Sequence, residues 1–217
     1  MQTEDLTELL REDIRSGILV PGQSLVQEEL AKRFSVSRIP IREALMTLAA
    51  DGIVIARQGG GHAVRKLRAE EVEELYDLRM SIEPGLSPYI VANASRKSIE
   101  KWRQMAQTLR GMDTNSRGWV TENYRFHLSI YACAEREHSL RLIRALLDLT
   151  MPYSRMFMAE LGSEQTPPDE VHVHDEHDEM VTLIEAGNAE ALRQIITQHL
   201  STTRRHVSNY LSERREH

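Results

Sequence analysis

Residues 35–45 read SVSRIPIREAL, a run whose spacing fits one kind of helix start. Proline has no N–H, so a helix accepts Pro40 only within its first turn, where backbone N–H groups have no partner anyway. Ser37 suits the preceding cap, where its hydroxyl can accept a backbone hydrogen bond. A helix over about 37–51 then places Arg38 and Arg42 one turn apart on one face. Ile41, Leu45 and Leu48 form a second, apolar stripe at i, i+4 and i+7. One side of the helix docks into a core. The other offers two guanidiniums beside a positive helix N-terminus, an arrangement suited to a polyphosphate anion.

The flanks extend this reading. Residues 4–16 carry Leu6, Leu10 and Ile14 on one face, with Gly17 at the expected helix end. Pro21-Gly22 marks a turn. A second helix is predicted over 24–34, with Leu25 and Leu30 inward, and Ser35-Val36 joins it to the 37–51 helix. IVIARQGGGHAVRKL, 53–67, reads as two short strands, Ile53–Ala56 and Ala63–Leu67, around a glycine-rich tip with basic flanks. The order is that of a winged helix-turn-helix.

Charge divides the chain in the same place. The whole carries a formal net charge of −6 over 217 residues. Residues 20–68 hold 8 Lys/Arg against 4 Asp/Glu, whereas residues 69–217 hold 17 against 24. A basic segment followed by an acidic one implies two jobs. The chain has one cysteine, Cys133, so no intrachain disulfide forms, which fits a reducing cytoplasm. The N-terminal MQTEDLTELLRED is acidic and lacks the apolar core of a signal peptide. No run approaches the ~20 apolar residues of a membrane helix.

From Ala69 onward the periodicity is helical throughout. Helices are predicted over 70–93, 96–112, 116–134, 137–160, 169–186 and 189–213. Breaks fall at Pro84-Gly85, Gly111, 162–168 and Gly187-Asn188. The expected architecture is mainly α: residues 1–68 a winged helix-turn-helix with a small β-wing, residues 69–217 an antiparallel all-helical bundle.

Three of the nine histidines fall where an apolar side chain is expected. The stripes are Val120, Asn123, His127, Ile130, Ala134; then Val173, His177, Met180-Val181, Ile184; then Leu192, Ile195-Ile196, His199, Thr203. A lone buried histidine is more often a core residue than a ligand. Three on three helices of one bundle, with an amide one turn before the first, favour a divalent cation, because facing neutral imidazoles otherwise gain nothing for their desolvation. His138, His172, His174, His206 and His217 read as surface. The run HVHDEH, 172–177, raises a rival, a metal-dependent hydrolase with Asp175 or Glu176 as base, but no HExxH accompanies it. Arg79 lies on the stripe Val72, Leu75, Ile82, Leu86. A buried arginine needs an anion, and Glu83, one turn on, can be that partner.

The N-terminal residues that carry a family resemblance are Leu25, Leu30-Ala31, Val36-Ser37-Arg38, Pro40-Ile41-Arg42-Glu43-Ala44-Leu45, Leu48 and Asp51-Gly52-Ile53-Val54. They resemble the DNA-binding domain of GntR-family transcription regulators. Leu78-Arg79, Glu83-Pro84, Asn123 to His127, Glu176-His177, Gly187 to Ala191 and His199-Leu200 resemble the FCD effector domain of the same family. The resemblance implies a metabolite-responsive regulator, not an enzyme, and more specifically a repressor that binds operator DNA as a homodimer. It places Arg38, Pro40 and Arg42 in the major groove and Gln58, Gly59 and Gly60 on the wing. It implies a metal, zinc or nickel, on Asn123, His127, His177 and His199. It also implies a small carboxylate effector near Arg79, Glu83, Tyr153 and Arg155. Two positions depart from the family pattern: Asn123 stands where an aspartate is usual, and Glu28 where some relatives have a DNA-contacting arginine.

Overall fold

The computed structural model describes residues 3–58, 60–114, 116–161 and 170–213. Gly59, His217 and the expected break at 162–168 lie outside the described residues, as do the side chains of His172 and Val173. The chain forms two compact units, Met1–Leu67 and Arg68–His217.

In the first unit α1 spans Thr3–Arg15, α2 Gln27–Phe34 and α3 Arg38–Ala50. Leu6, Leu10 and Ile14 of α1 and Ile41, Ala44, Leu45 and Leu48 of α3 are buried, as their spacing requires. Ser35 turns the chain between α2 and α3 in a left-handed conformation, φ 55°. That geometry lets the Val36 N–H donate to the Ala31 carbonyl at 3.0 Å, closing α2. Ser37 occupies the N-cap of α3, but its side chain makes no capping hydrogen bond. The expected hydroxyl cap is therefore not formed.

The second correction concerns residues 24–26. Ser24–Leu25 is a strand, β1, not the first turn of α2. It pairs antiparallel with β3, His62–Val64, which also pairs with β2, Val54–Ala56. The wing is thus a three-stranded sheet in the order β1-β3-β2. The pairing buries Leu25 with Val54, Ala63 and Val64, a long-range gain that local propensity does not register.

In the second unit α4 is Ala69–Ile82, followed by a 3-10 turn, Pro84–Leu86, and α5, Ser87–Asn93. The expected 70–93 helix is thus split at Pro84-Gly85. Next come α6 Arg96–Arg110, α7 Arg117–Ala132, α8 Glu137–Leu161, α9 Glu170–Glu185 and α10 Ala189–Glu213. Ser95 and Ser116 cap α6 and α7 by accepting from the N–H groups of Ser98 and Trp119. Helix α10 packs against α4, α5, α8 and α9, and α7 against α6 and α8. Phe126, Trp102, Tyr76 and Tyr131 are the largest buried aromatics of this core.

Candidate functional site

The first unit presents α3. Arg38 and Arg42 are exposed and Pro40 is half-buried. Glu43, next to Arg42 in sequence, accepts from the Thr3 hydroxyl at 3.0 Å, and neither arginine has an ion pair among the described residues. Arg33, by contrast, is paired with Asp13 at 2.8 Å. Ile39 is 64% and Met46 59% exposed on the same helix, so its outer surface carries apolar as well as cationic groups. On the wing Gln58 and Gly60 are exposed. Gly60 and Gly61 have φ of 99° and 84°, which a side chain would strain. This hairpin tip has no side chain at Gly60 or Gly61 to hold its backbone away from another surface.

The second unit brings the three stripe histidines together. His127 on α7, His177 on α9 and His199 on α10 are all buried, and one ligand atom from each lies within 4.8 Å of the others. His127 Nε2 and His177 Nε2 are 3.2 Å apart. Two nitrogens bound to one zinc at ~2.0–2.1 Å would stand about 3 Å apart, so the pair already has ligating separation. Burial, reinforced by the neighbouring imidazoles of His199 and His177, holds His127 well below the ordinary histidine range. Burial likewise lowers His177. Both rings are therefore neutral at pH 7, the form that binds metals.

Asn123, one turn before His127, is buried, and its Oδ1 has no hydrogen-bond partner. An orphaned buried carbonyl oxygen costs about 1–3 kcal/mol; a cation beside it would relieve that cost. The donor set, three neutral imidazoles and one amide oxygen, fits a borderline divalent ion.

Glu176 supplies what the stripes alone did not show. Its Oε2 accepts from His199 Nδ1–H at 2.7 Å, and Gln198 donates to its Oε1 at 3.3 Å. The sequence reading offered Glu176 as a hydrolytic base; here it orients a histidine. Its place next to His177, on the buried side of α9, was the available signal.

A cavity of about 70 Å³ opens beside the histidines, lined among others by Asn123, His127, Glu176, His199, Arg79 and Arg155. Glu83 and Tyr153 are not among its lining residues, although both are buried. Glu83 instead takes the Arg79 Nε–H at 2.6 Å. Arg79 also donates to the Thr150 hydroxyl at 3.2 Å. Burial alone would lower the Arg79 guanidinium, but the Glu83 carboxylate, with Tyr76 and Tyr131, more than offsets it, and the net shift is upward. Tyr131 hydrogen-bonds Glu83 too, and burial pushes its phenol well up. Two histidines expected at the surface are not fully there. His206 is on the cavity wall, stacked on Phe157 at 5.3 Å between ring centres. His174 is half-buried, edge-on to Trp119 at 6.4 Å. His138 is exposed as expected.

Residues 2–64 match the family described as bacterial regulatory proteins, gntR family, and residues 74–202 match the FCD domain. The chain belongs to the GntR family of transcription regulators. It is 25% identical over 210 residues to the HTH-type transcriptional regulator YdhC of Bacillus subtilis, covering 95% of this chain and 91% of that one. It is 28% identical to a Paenarthrobacter nicotinovorans protein named "Probable D-xylose utilization operon transcriptional repressor", covering 87% and 81% of the two chains. In structure it resembles Escherichia coli McbR/YncC with a TM-score of 0.81 at 18% identity, over 92% of this regulator and 93% of that chain. GntR regulators bind operator DNA, and these relatives are regulators rather than enzymes; nothing in them supports the hydrolase reading. Among the described residues no helix is long and apolar enough to cross a membrane.

Proposed function

We propose that this regulator is a metabolite-responsive repressor that binds a two-fold operator as a homodimer and is modulated by a small carboxylate held at a divalent metal in its second unit. The observation that carries the reading is the cluster of His127, His177 and His199, within 4.8 Å and beside a cavity. His127 and His177 offer Nε2. His199 has Nδ1 occupied by Glu176, which leaves its Nε2, and Asn123 adds a neutral oxygen. Zinc or nickel suits this set. When bound, the ion supplies positive charge and open coordination positions for a carboxylate.

Arg38 and Arg42, exposed and without an ion pair among the described residues, are the groups for guanine edges or phosphate. Pro40 sets the helix start, and Gln58, Gly59 and Gly60 bring the wing backbone to DNA. A dimer follows from operator symmetry, since half-sites mirror the protein's two-fold axis. The repressor assignment draws on a relative named as one. Effector binding and DNA binding are then coupled, and the coupling is reciprocal.

The test has two arms. In the first, DNA selected from a random pool with the wild-type protein is bound by wild type and by the Arg38→Ala/Arg42→Ala variant. Loss of each base contact is expected to weaken binding by ~1–3 kcal/mol. In the second, the stripped protein is titrated with zinc and nickel, wild type against His199→Ala. Equal metal affinity in the two would remove the three-histidine site. Sedimentation of the full chain checks the dimer.

A further inference from the structure

The cavity has two arginines on its wall, and they differ in kind. Arg79 is neutralised by Glu83 at 2.6 Å, with both side chains buried. Arg155, on α8, is not. Its Nε and Nη1 are shut off from solvent and have no hydrogen-bond partner. Burial and the like charge of Arg117 push its guanidinium below the usual range, with Asp113 opposing only in part. Arg155 as a whole is half-buried, but two shielded N–H groups of a cation with unmade hydrogen bonds are costly unless an acceptor arrives. The histidine site already offers one place for a carboxylate, so the cavity has two anion-binding groups. The same cavity is lined by Val120, Leu147, Met151 and Leu200, whose side chains offer a spacer no hydrogen bonds.

Size limits the ligand. A single water takes roughly 10–15 Å³ on the scale that gives this cavity about 70 Å³. The space therefore holds about five to seven waters, or a short acid, and not a long acyl chain. We propose that the effector is a short dicarboxylate, one carboxylate at the histidine site and the second accepting from the unpartnered N–H groups of Arg155. This rests on the carboxylate-at-metal reading above.

The test is calorimetry on the full-length, zinc-loaded chain with matched acids: butyrate against succinate, and valerate against glutarate. On wild type the diacid of a pair should bind about tenfold or more tighter than the monoacid, the worth of a charge-assisted hydrogen bond. Arg155→Met should abolish that preference. Arg155→Lys keeps the charge and should retain part of it, which a variant that merely loosened the bundle would not. Equal binding of mono- and diacids by wild type, a diacid preference that survives Arg155→Met, or no binding of any of the four acids overturns the proposal. If the chain takes up no zinc, the metal reading fails separately. The same acids on zinc-free protein then decide the Arg155 claim alone, by whether the diacid preference is present and depends on Arg155.

Discussion

Glu176 Oε2 lies 2.7 Å from His199 Nδ1, and both residues are buried. The carboxylate thereby selects which ring nitrogen carries the proton and turns the other one free. A histidine held this way is a better-aimed ligand than one left to rotate, because the acceptor fixes the tautomer and orientation of the ring.

Glu176→Gln is therefore expected to weaken metal binding by ~10–100-fold while leaving the fold intact. The amide retains an acceptor oxygen but loses the charge. Competition titration against a chromophoric chelator reads the affinity, and far-ultraviolet circular dichroism reads the fold. Unchanged affinity would mean that Glu176 has only a packing role.

Asn123→Asp should tighten metal binding, because the orphaned Oδ1 would be replaced by a charged oxygen one turn from His127. The same substitution lowers the positive charge of the site, so an anionic effector should bind more weakly. The two effects have opposite signs and are read by metal titration and by acid titration of the loaded protein. If acid binding weakens while metal affinity stays the same, Asn123 faces the effector and not the metal.

The metal-free protein should lose stability as pH falls. His127 and His177 are both held below the ordinary histidine value, chiefly by burial, so the unfolded chain binds their protons first. Stability is fully present above the unfolded pKa of ~6.5 and declines as pH drops through it toward the lower folded values. Urea midpoints at pH 7.5 and pH 5.5 should show the decline, and His127→Phe should reduce it. A flat profile between those pH values would show that the two rings titrate in the fold as they do in the unfolded chain.

Glu83→Ala should cost ~3–5 kcal/mol of stability, since it leaves the buried Arg79 charge without its carboxylate. The double variant Arg79→Met/Glu83→Leu should recover much of that loss, because it removes both charges and refills the space. Denaturant unfolding of wild type and the two variants checks it. Equal loss in the single and double variants would show that the pair acts through shape and not through charge.

Much of this was legible in local pattern. The apolar spacing of α3 and the position of Pro40 mark the docked helix with exposed Arg38 and Arg42, and a periodicity of 3.6 requires nothing beyond one helix. The same spacing puts His127, His177 and His199 on buried faces. It also sets Glu83 one turn from Arg79, and the ion pair forms there. Two features did not follow. Ser24–Leu25 becomes a strand because β3, nearly forty residues later, offers it a ladder. Ser37 stands at a cap without capping.

Helical period alone, read from the residues, put His127, His177, His199 and Arg79 on buried faces, because that period belongs to each helix taken singly; it did not foresee the half-burial of His174 and His206. Only the tertiary structure decided what those residues meet. Glu176 finds His199 across two helices, Arg155 turns unpaired N–H groups inward, and Glu83 is kept off the cavity wall by Arg79 and Tyr131. Hydrogen bonds are directional over about 3 Å, so such partners depend on how helices cross and rotate against one another, which no single helix encodes.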